Sequence, residues 1–422
     1  MMESKVEKNL LLAARILTTG IPLFLVTGRA AVDIALSLVA LLFLARSFIS
    51  KDWTWVRAGW YRIGLVLWVW TLLISAAAFD VVASYGQAAT WIRFLLFAAA
   101  LGAWVLDETW IRRLIAAGMA MLLFAALDAW LQYFTGADIF GHQRVGDRLT
   151  GPFDDLRVGI YITKLFFPVA LGFAFWQLRA RGKGWPVWLT AGAAVVMIGA
   201  VFVSGERMAL ILMIFGLVLA AVLQKGVLRA AIGGVLALAL IGIGVVAAVD
   251  KQMMQRQFMS TAETITNFSH TPYGVLWRNA IQLGGERPIT GVGMRNFRIV
   301  CDNPKIALPA DATKTVPPSE QDLRCATHPH NTYLEWFSEA GIPGLILFVM
   351  MIAALGRGLW SAWKVIGDNR AWMAGPVIAV ILQLWPLAAT GSFFSNWNGA
   401  LLWLAAGWAL AAARLGGYAS RR

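Results

Sequence analysis

Two histidines, His328 and His330, flank a proline in the stretch ATHPHNTYLEWFSEAG (326–341) of a chain with only four histidines in 422 residues. A neutral imidazole beside an anion is suited to take a proton from an attacking hydroxyl. Anion holders stand elsewhere in the same sequence: Arg148, Arg157, Arg207, Arg278 and Arg295, with Lys164 about two helical turns beyond Arg157. A guanidinium fork matches phosphate oxygens two at a time. Together these residue types suit the binding of a lipid-linked phosphate or pyrophosphate and the deprotonation of a hydroxyl beside it, with arginine charge stabilising the departing group. Other readings of the histidines stay open. His-x-His also suits a structural pair, or two metal ligands completed by Asp302, Asp311 or Glu335. No third ligand stands at a recognisable spacing, so no metal and no cofactor is assigned.

The local elements that must position these groups are legible in part. Thr332 and Glu335 have the T-x-x-E spacing of a capping box ahead of Trp336 and Phe337, and Gly341 and Pro343 stop or redirect that helix. His328 and His330 then sit at a helix N-terminus, whose partial positive charge disfavours imidazolium and draws anions. In SHTPYGVLWRNAIQL (269–283), Thr271 is an expected N-cap and Pro272 the first helical residue. Val275, Leu276, Ala280 and Leu283 form the apolar face, Arg278 lies off it, and Gly284–Gly285 end the helix. The Gly-x-Gly of TGVGMRNF (290–297) either offers backbone N–H groups to an anion or makes a plain tight turn. Ser204-Gly205-Glu206-Arg207 stands between two apolar runs at a membrane boundary. Glu206 is adjacent to Arg207, and adjacent residues do not face each other on a helix, so Arg207 is expected to be open to an exogenous anion; a snorkelling arginine is the alternative. GDRLTGPFDDLRVGIY (146–161) either lines a site or caps the bundle.

Composition fixes the class of protein. The chain is 59% hydrophobic and 14% charged, with a mean hydropathy of +0.67, whereas soluble domains carry about 25% charged residues. Apolar runs of about 17–23 residues recur, the length that crosses a bilayer as a helix. The expected fold is an all-α polytopic membrane protein with about twelve transmembrane helices and one large periplasmic loop containing short helices. The spans fall near 10–26, 30–49, 63–79, 91–106, 114–134, 158–178, 185–203, 208–223, 227–249, 342–360, 372–390 and 397–415. Three regions follow: a bundle over 1–249, the loop region 250–341 with the motifs, and a C-terminal bundle over 342–422. Because spans run to the end of the chain, the first is not read as a cleaved signal peptide. Lys and Arg concentrate in 46–62, 112–113, 179–183, 225–229, 357–370 and both termini. The positive-inside rule therefore makes both termini cytoplasmic and puts the histidines on the outer side.

The net charge of +13 does not indicate nucleic acid, since much of it is spread over loops facing anionic lipid and no nucleic-acid motif accompanies it. Both cysteines, Cys301 and Cys325, fall in the outer loop. A disulfide between them is expected in an oxidising compartment, two free thiols being the alternative.

SGER at a span end, WRNAI…RPITGVGMRNF, and above all HPHNTYLEWFSEAGIPG resemble the shared signature of bacterial O-antigen ligases and O-antigen polymerases, a superfamily that also includes protein O-oligosaccharyltransferases. The likeness in layout covers most of the chain, and the motifs about 60 residues of it. The resemblance implies transfer of glycan from undecaprenyl pyrophosphate to an acceptor hydroxyl at the periplasmic face of the bacterial inner membrane. For a ligase that acceptor is a sugar of lipid A–core, in lipopolysaccharide biosynthesis. It also implies His330, directly before Asn331, as base, His328 assisting or orienting it, Arg207 and Arg278 on the pyrophosphate, and Arg295 as a further candidate. Glu206 departs from the small residues common around the first arginine. About twelve spans with one dominant outer loop favour a ligase over a polymerase, and the lack of a sizeable C-terminal soluble part speaks against a protein-directed transferase. A transporter of an anionic substrate is the rival from another class, although no internal repeat supports it.

Overall fold

A computed structural model describes residues 5–181, 185–301, 326–367 and 370–419, and among them there are helices, turns and loops but no strand. Among the described residues eight helices are long and apolar enough to cross a membrane, and four shorter apolar helices accompany them. Together they occupy the twelve expected positions, in an all-α polytopic membrane protein. The first nine are α1 (Lys5–Thr27), α2 (Arg29–Ser50), α3 (Gly59–Ser75), α4 (Val81–Ala100), α5 (Glu108–Thr135), α6 (Val158–Arg181), α7 (Trp185–Val203), α8 (Arg207–Leu223) and α9 (Gly226–Val249). A broken arm follows: α10 (Lys251–Met254), a π turn over Gln255–Met259 and α11 (Ser260–Thr266). Then come α12 (Pro272–Glu286), α13 (Phe297–Val300), α14 (Thr332–Val365), α15 (Arg370–Gln383) and α16 (Asn396–Ala419).

Three boundaries differ from expectation. Helix α4 begins at Val81, where Asp80 caps it by accepting from the Ala83 amide at 2.9 Å, so its first two turns are polar enough to have hidden it. Helix α15 stops at Gln383, and residues 384–395 form an irregular turn instead of the end of a span. The third is α14, which starts at Thr332 and runs through a kink into the membrane. Gly341 makes that kink at φ +71°, where a Cβ would meet the Ile289 carbonyl oxygen at 2.2 Å; only glycine fits both constraints. The carbonyls left over by the kink are all satisfied. Ser338 and Glu339 accept from the Val292 and Gly293 amides at 2.9 and 3.0 Å, and Ala340 accepts from Trp70 Nε1 at 3.0 Å.

Ionisable groups inside the bundle are engaged by the protein itself, as buried charge requires. Arg15 pairs with Asp107, Arg93 with Asp33 at 3.0 Å and with Asn396 at 2.8 Å, and Asp128 accepts from the Ile139 amide at 2.8 Å. Beneath the irregular turn 384–395 lies an aromatic cluster. Trp336 stacks on Phe348 at 5.3 Å and meets Trp91, Phe393 and Phe394 at 4.9–5.6 Å, edge-on or tilted. Such pairs add about 0.5–1.5 kcal/mol each beyond burial, and here they seat Phe393 and Phe394 against α14. The loop region has a core of its own: Leu276, Ala280, Leu283, Val292, Phe297, Val300 and Cys301 pack together. Cys325, the expected partner of Cys301, lies outside the described residues.

Candidate functional site

Thr271 caps α12 as expected, its side chain accepting from the Gly274 amide at 3.1 Å with Pro272 in the first turn. The helix runs past Gly284–Gly285 to Glu286. The cap of α14 differs. Asn331, not Thr332, is its N-cap, and its Oδ1 accepts from the Tyr333 and Leu334 amides at 3.0 and 3.1 Å while its Nδ2 donates to the Pro386 carbonyl at 2.7 Å. Glu335 does not reach back to close a capping box. It accepts from Ser392 Oγ at 2.5 Å and from the Phe393 amide at 2.8 Å, pinning the 384–395 turn against α14. Asn331 already serves two of the orphan amides, so Glu335 is released for this other work.

The Gly-x-Gly turn offers nothing to an anion. Its amides from Gly291 to Arg295 donate to Arg287, Ser338 and Glu339 carbonyls, to Ser84 Oγ and to the Glu339 carboxylate. It is a docking turn that locks onto the kink of α14.

Thr390 holds both histidines. Its amide donates to the His330 carbonyl at 2.9 Å, and its carbonyl lies 3.1 Å from His328 Nε2. Thr327 Oγ1 lies 3.0 Å from His328 Nδ1, so both ring nitrogens of His328 are engaged. With Nε2 donating to the Thr390 carbonyl, Nδ1 is left to accept from the Thr327 hydroxyl. His330 is different. Its backbone takes φ +53°, unusual for a bulky residue, and its ring turns edge-on to Tyr273 at 5.5 Å and lies 4.2 Å from the His328 ring. Burial pushes the His328 imidazole down to about 3, with the neighbouring His330 adding to the effect. Burial also lowers His330, partly opposed by the Thr390 carbonyl. Both are neutral near pH 7.

The His330 ring opens onto a cavity of about 520 Å³ whose wall carries Arg148, Arg157, Arg207, Arg256 and Tyr273. Arg207 begins α8, and its Nη1 donates to the Ser260 carbonyl and Thr264 Oγ1 at 2.8 and 2.9 Å. Glu206 turns the other way: its carboxylate accepts from the Gly159 and Ile160 amides and caps α6. Burial pushes Glu206 up to about 7, which weakens its claim to compete as an anion. Arg256 donates to the Gly205 carbonyl at 2.8 Å and pairs with Asp147 at 2.8 Å, and the Nε of Arg148 is buried without a hydrogen-bond partner. Four guanidinium groups against Glu206 and Asp155 leave this cavity cationic.

A second cavity, of about 550 Å³, lies behind the first. His328, Arg29, Arg295, Arg298, Glu335 and Glu339 line it, and it shares Asp155, Arg157, Gly391, Trp397 and Asn398 with the first. The structure therefore brings His330, Arg207, Arg148 and Arg157 together, sets Arg295 and His328 across a common wall, and leaves Arg278 lining neither cavity. Lys164 is buried just behind that wall, donating to Asn398 Oδ1 at 2.7 Å beneath the Trp397 ring. Among the described residues no three His, Cys, Asp or Glu side chains converge as a metal site.

Sequence reasoning missed Arg256, Tyr273, Arg298 and the whole of 390–398. The last had a signal: TGSFFSNWN mixes small, polar and aromatic residues between two apolar runs, a loop composition that reads only as a short connection between the spans at 372–390 and 397–415.

Fold and site together define a multi-pass membrane protein with a cationic, histidine-bearing chamber at one end of its bundle. Residues 192–349 match the family model described as O-antigen ligase, and this match supports the O-antigen ligase and polymerase superfamily. The match spans Arg207, Arg256, Tyr273 and both histidines. No curated protein matches the chain.

Proposed function

We propose that the protein is an O-antigen ligase, moving glycan from undecaprenyl pyrophosphate to a sugar hydroxyl of lipid A–core at the periplasmic face of the inner membrane. One observation carries this reading: His330 and Arg207, far apart in sequence, open onto the same cationic cavity. The pyrophosphate of the donor lies against Arg207, Arg148 and Arg256, with Arg157 on the wall. His330 takes the proton of the acceptor hydroxyl as its oxygen bonds to the anomeric carbon. The bond from that carbon to the phosphate oxygen breaks, and undecaprenyl pyrophosphate leaves with its new charge held by the arginines. A single displacement inverts the anomeric centre. His328, tied at both nitrogens, orients its neighbour and does not itself shuttle the proton.

The test uses purified protein, a polyprenyl-pyrophosphate-linked glycan and lipid A–core, with chelator present. Glycan on the lipid A–core, absent with His330→Ala, is the expected result. Donor chains lengthening on one another would replace this reading with a polymerase. No transfer in either arrangement would remove it, leaving an anion transporter with the arginines at its mouth.

A further inference from the structure

We infer that the second cavity is the acceptor's binding site, and that it takes a saccharide carrying an anionic group, phosphate or carboxylate, near the attacking hydroxyl. The inference rests on the transfer reading of the first cavity. Its starting point is the common wall of Asp155, Arg157, Gly391, Trp397 and Asn398, in which Asp155 is paired with Arg157 at 2.9 Å. The two cavities adjoin along this wall, and His330 of the first and His328 of the second approach each other ring to ring at 4.2 Å.

The chemistry of the lining then names the ligand. Arg298 is half-buried, its Nε has no hydrogen-bond partner, and among the described residues neither it nor Arg295 has an ion pair. The two buried carboxylates nearby do not use up these forks. Glu335 is bound to Ser392 and the Phe393 amide, and Glu339 accepts from the Arg295 and Phe297 amides at 2.8 and 3.3 Å. That grip on its amide holds Arg295 at φ +62°, an outlier that fixes where its side chain leaves the backbone. Around the arginines stand Gln87, Ser395 and Asn396 with the rings of Phe394 and Trp397. Neutral hydrogen-bonding groups beside aromatic faces suit a sugar, and two guanidinium groups without an ion pair among the described residues suit the anion it carries.

The rival account is that Arg298 only balances Glu335 and Glu339. Calorimetry on the full chain in nanodiscs separates the two, using lipid-free core oligosaccharide in native, phosphatase-treated and carboxyl-reduced forms. The native form is expected to bind. Removing the anion should weaken it at least about tenfold, the scale of one charge-assisted hydrogen bond; which treatment does so identifies phosphate or carboxylate. Arg298→Gln should weaken the native form similarly, leave the anion-free form unchanged and leave donor binding intact. Arg295→Gln, at an exposed position, is expected to give the same pattern and covers the case in which Arg298→Gln fails to fold. Equal weakening of both forms, or an uncharged repeat-unit glycan binding as well as the core, would overturn the inference. Selective binding with no glycan transfer would instead overturn the reading of the first cavity alone.

Discussion

Glu206 and Arg207 are neighbours in the chain and do not pair. The carboxylate turns back to the Gly159 and Ile160 amides at 2.7 and 3.2 Å, and the guanidinium turns out toward the arm at Ser260 and Thr264. Adjacent residues at a helix start point to different sides. A carboxylate beside the first arginine therefore supports the chamber without pairing with that arginine, which lines the cavity.

Glu206→Ala should destabilise the protein by about 1–3 kcal/mol, since it strands two amides that now bond to the two oxygens of its carboxyl group. Glu206→Gln, keeping one acceptor oxygen, should recover part of that. Thermal unfolding in detergent measures both. An unchanged Tm for the alanine variant would mean that the start of α6 is held by something else.

Arg207→Lys should fold normally and lose about 10–100-fold in kcat/KM, because one ammonium cannot hold the Ser260 and Thr264 oxygens and still present a fork to phosphate. Near-normal activity would remove Arg207 from the pyrophosphate site.

Periodicity and charge carried most of the fold, because a bilayer forces long apolar runs to be helices. The ends of α4 and α15 were lost for a physical reason: capping by Asp80, and the anchoring of 390–395 by Glu335 and the Trp336 cluster, are tertiary events with no local pattern. For the site, His328 and His330 stand out as two of only four histidines, and Arg207 because short outer segments ordinarily carry few arginines. Arg256, Arg298 and Asn398 did not, being ordinary in type and placed only by folding. Arg278 differs: it stands in a recognisable motif, yet it lines neither cavity, although Tyr273 and Trp277 of the same helix line the first.

The two histidines should separate kinetically. His330→Ala should cost about 10²–10⁴-fold in transfer, the range for a lost general base, with donor binding retained. His328→Ala should reduce transfer without abolishing it, because it removes the ring that packs on His330 and the bond to Thr390 but not the base. Equal and complete loss in both would make the pair a single unit.

Acid should switch the enzyme off below the ordinary imidazole range. Burial lowers His330 from 6.5, so the neutral base persists as pH falls to that value and is lost only further down. The acid limb of the kcat/KM profile should therefore have its midpoint below 6.5. Stability follows the same sign: the unfolded chain binds protons that folded His328 and His330 refuse, so Tm should drop as pH falls below about 6.5. A midpoint at or above 6.5 would show His330 to be more solvated than its place in the chamber implies.

The wall between the cavities makes the last prediction. A Cβ on Gly391 would stand 2.1 Å from Asn398 Nδ2, so Gly391→Ala must push Asn398 aside and disturb its bond from Lys164 at 2.7 Å. Asn398 is half-buried in the first turn of α16, where its Nδ2 donates to Ser395 Oγ at 2.9 Å, so giving up these local bonds should leave the fold standing while the meeting place of the two substrates distorts. Transfer should fall at least about tenfold, roughly 1.4 kcal/mol in the barrier, with donor and acceptor binding changed far less. Asn398→Ala removes the atom that clashes, so the double variant should lose less than the two single losses combined. Additive losses would mean that Gly391 matters for some reason other than its contact with Asn398, and the wall would no longer be the point where the substrates meet.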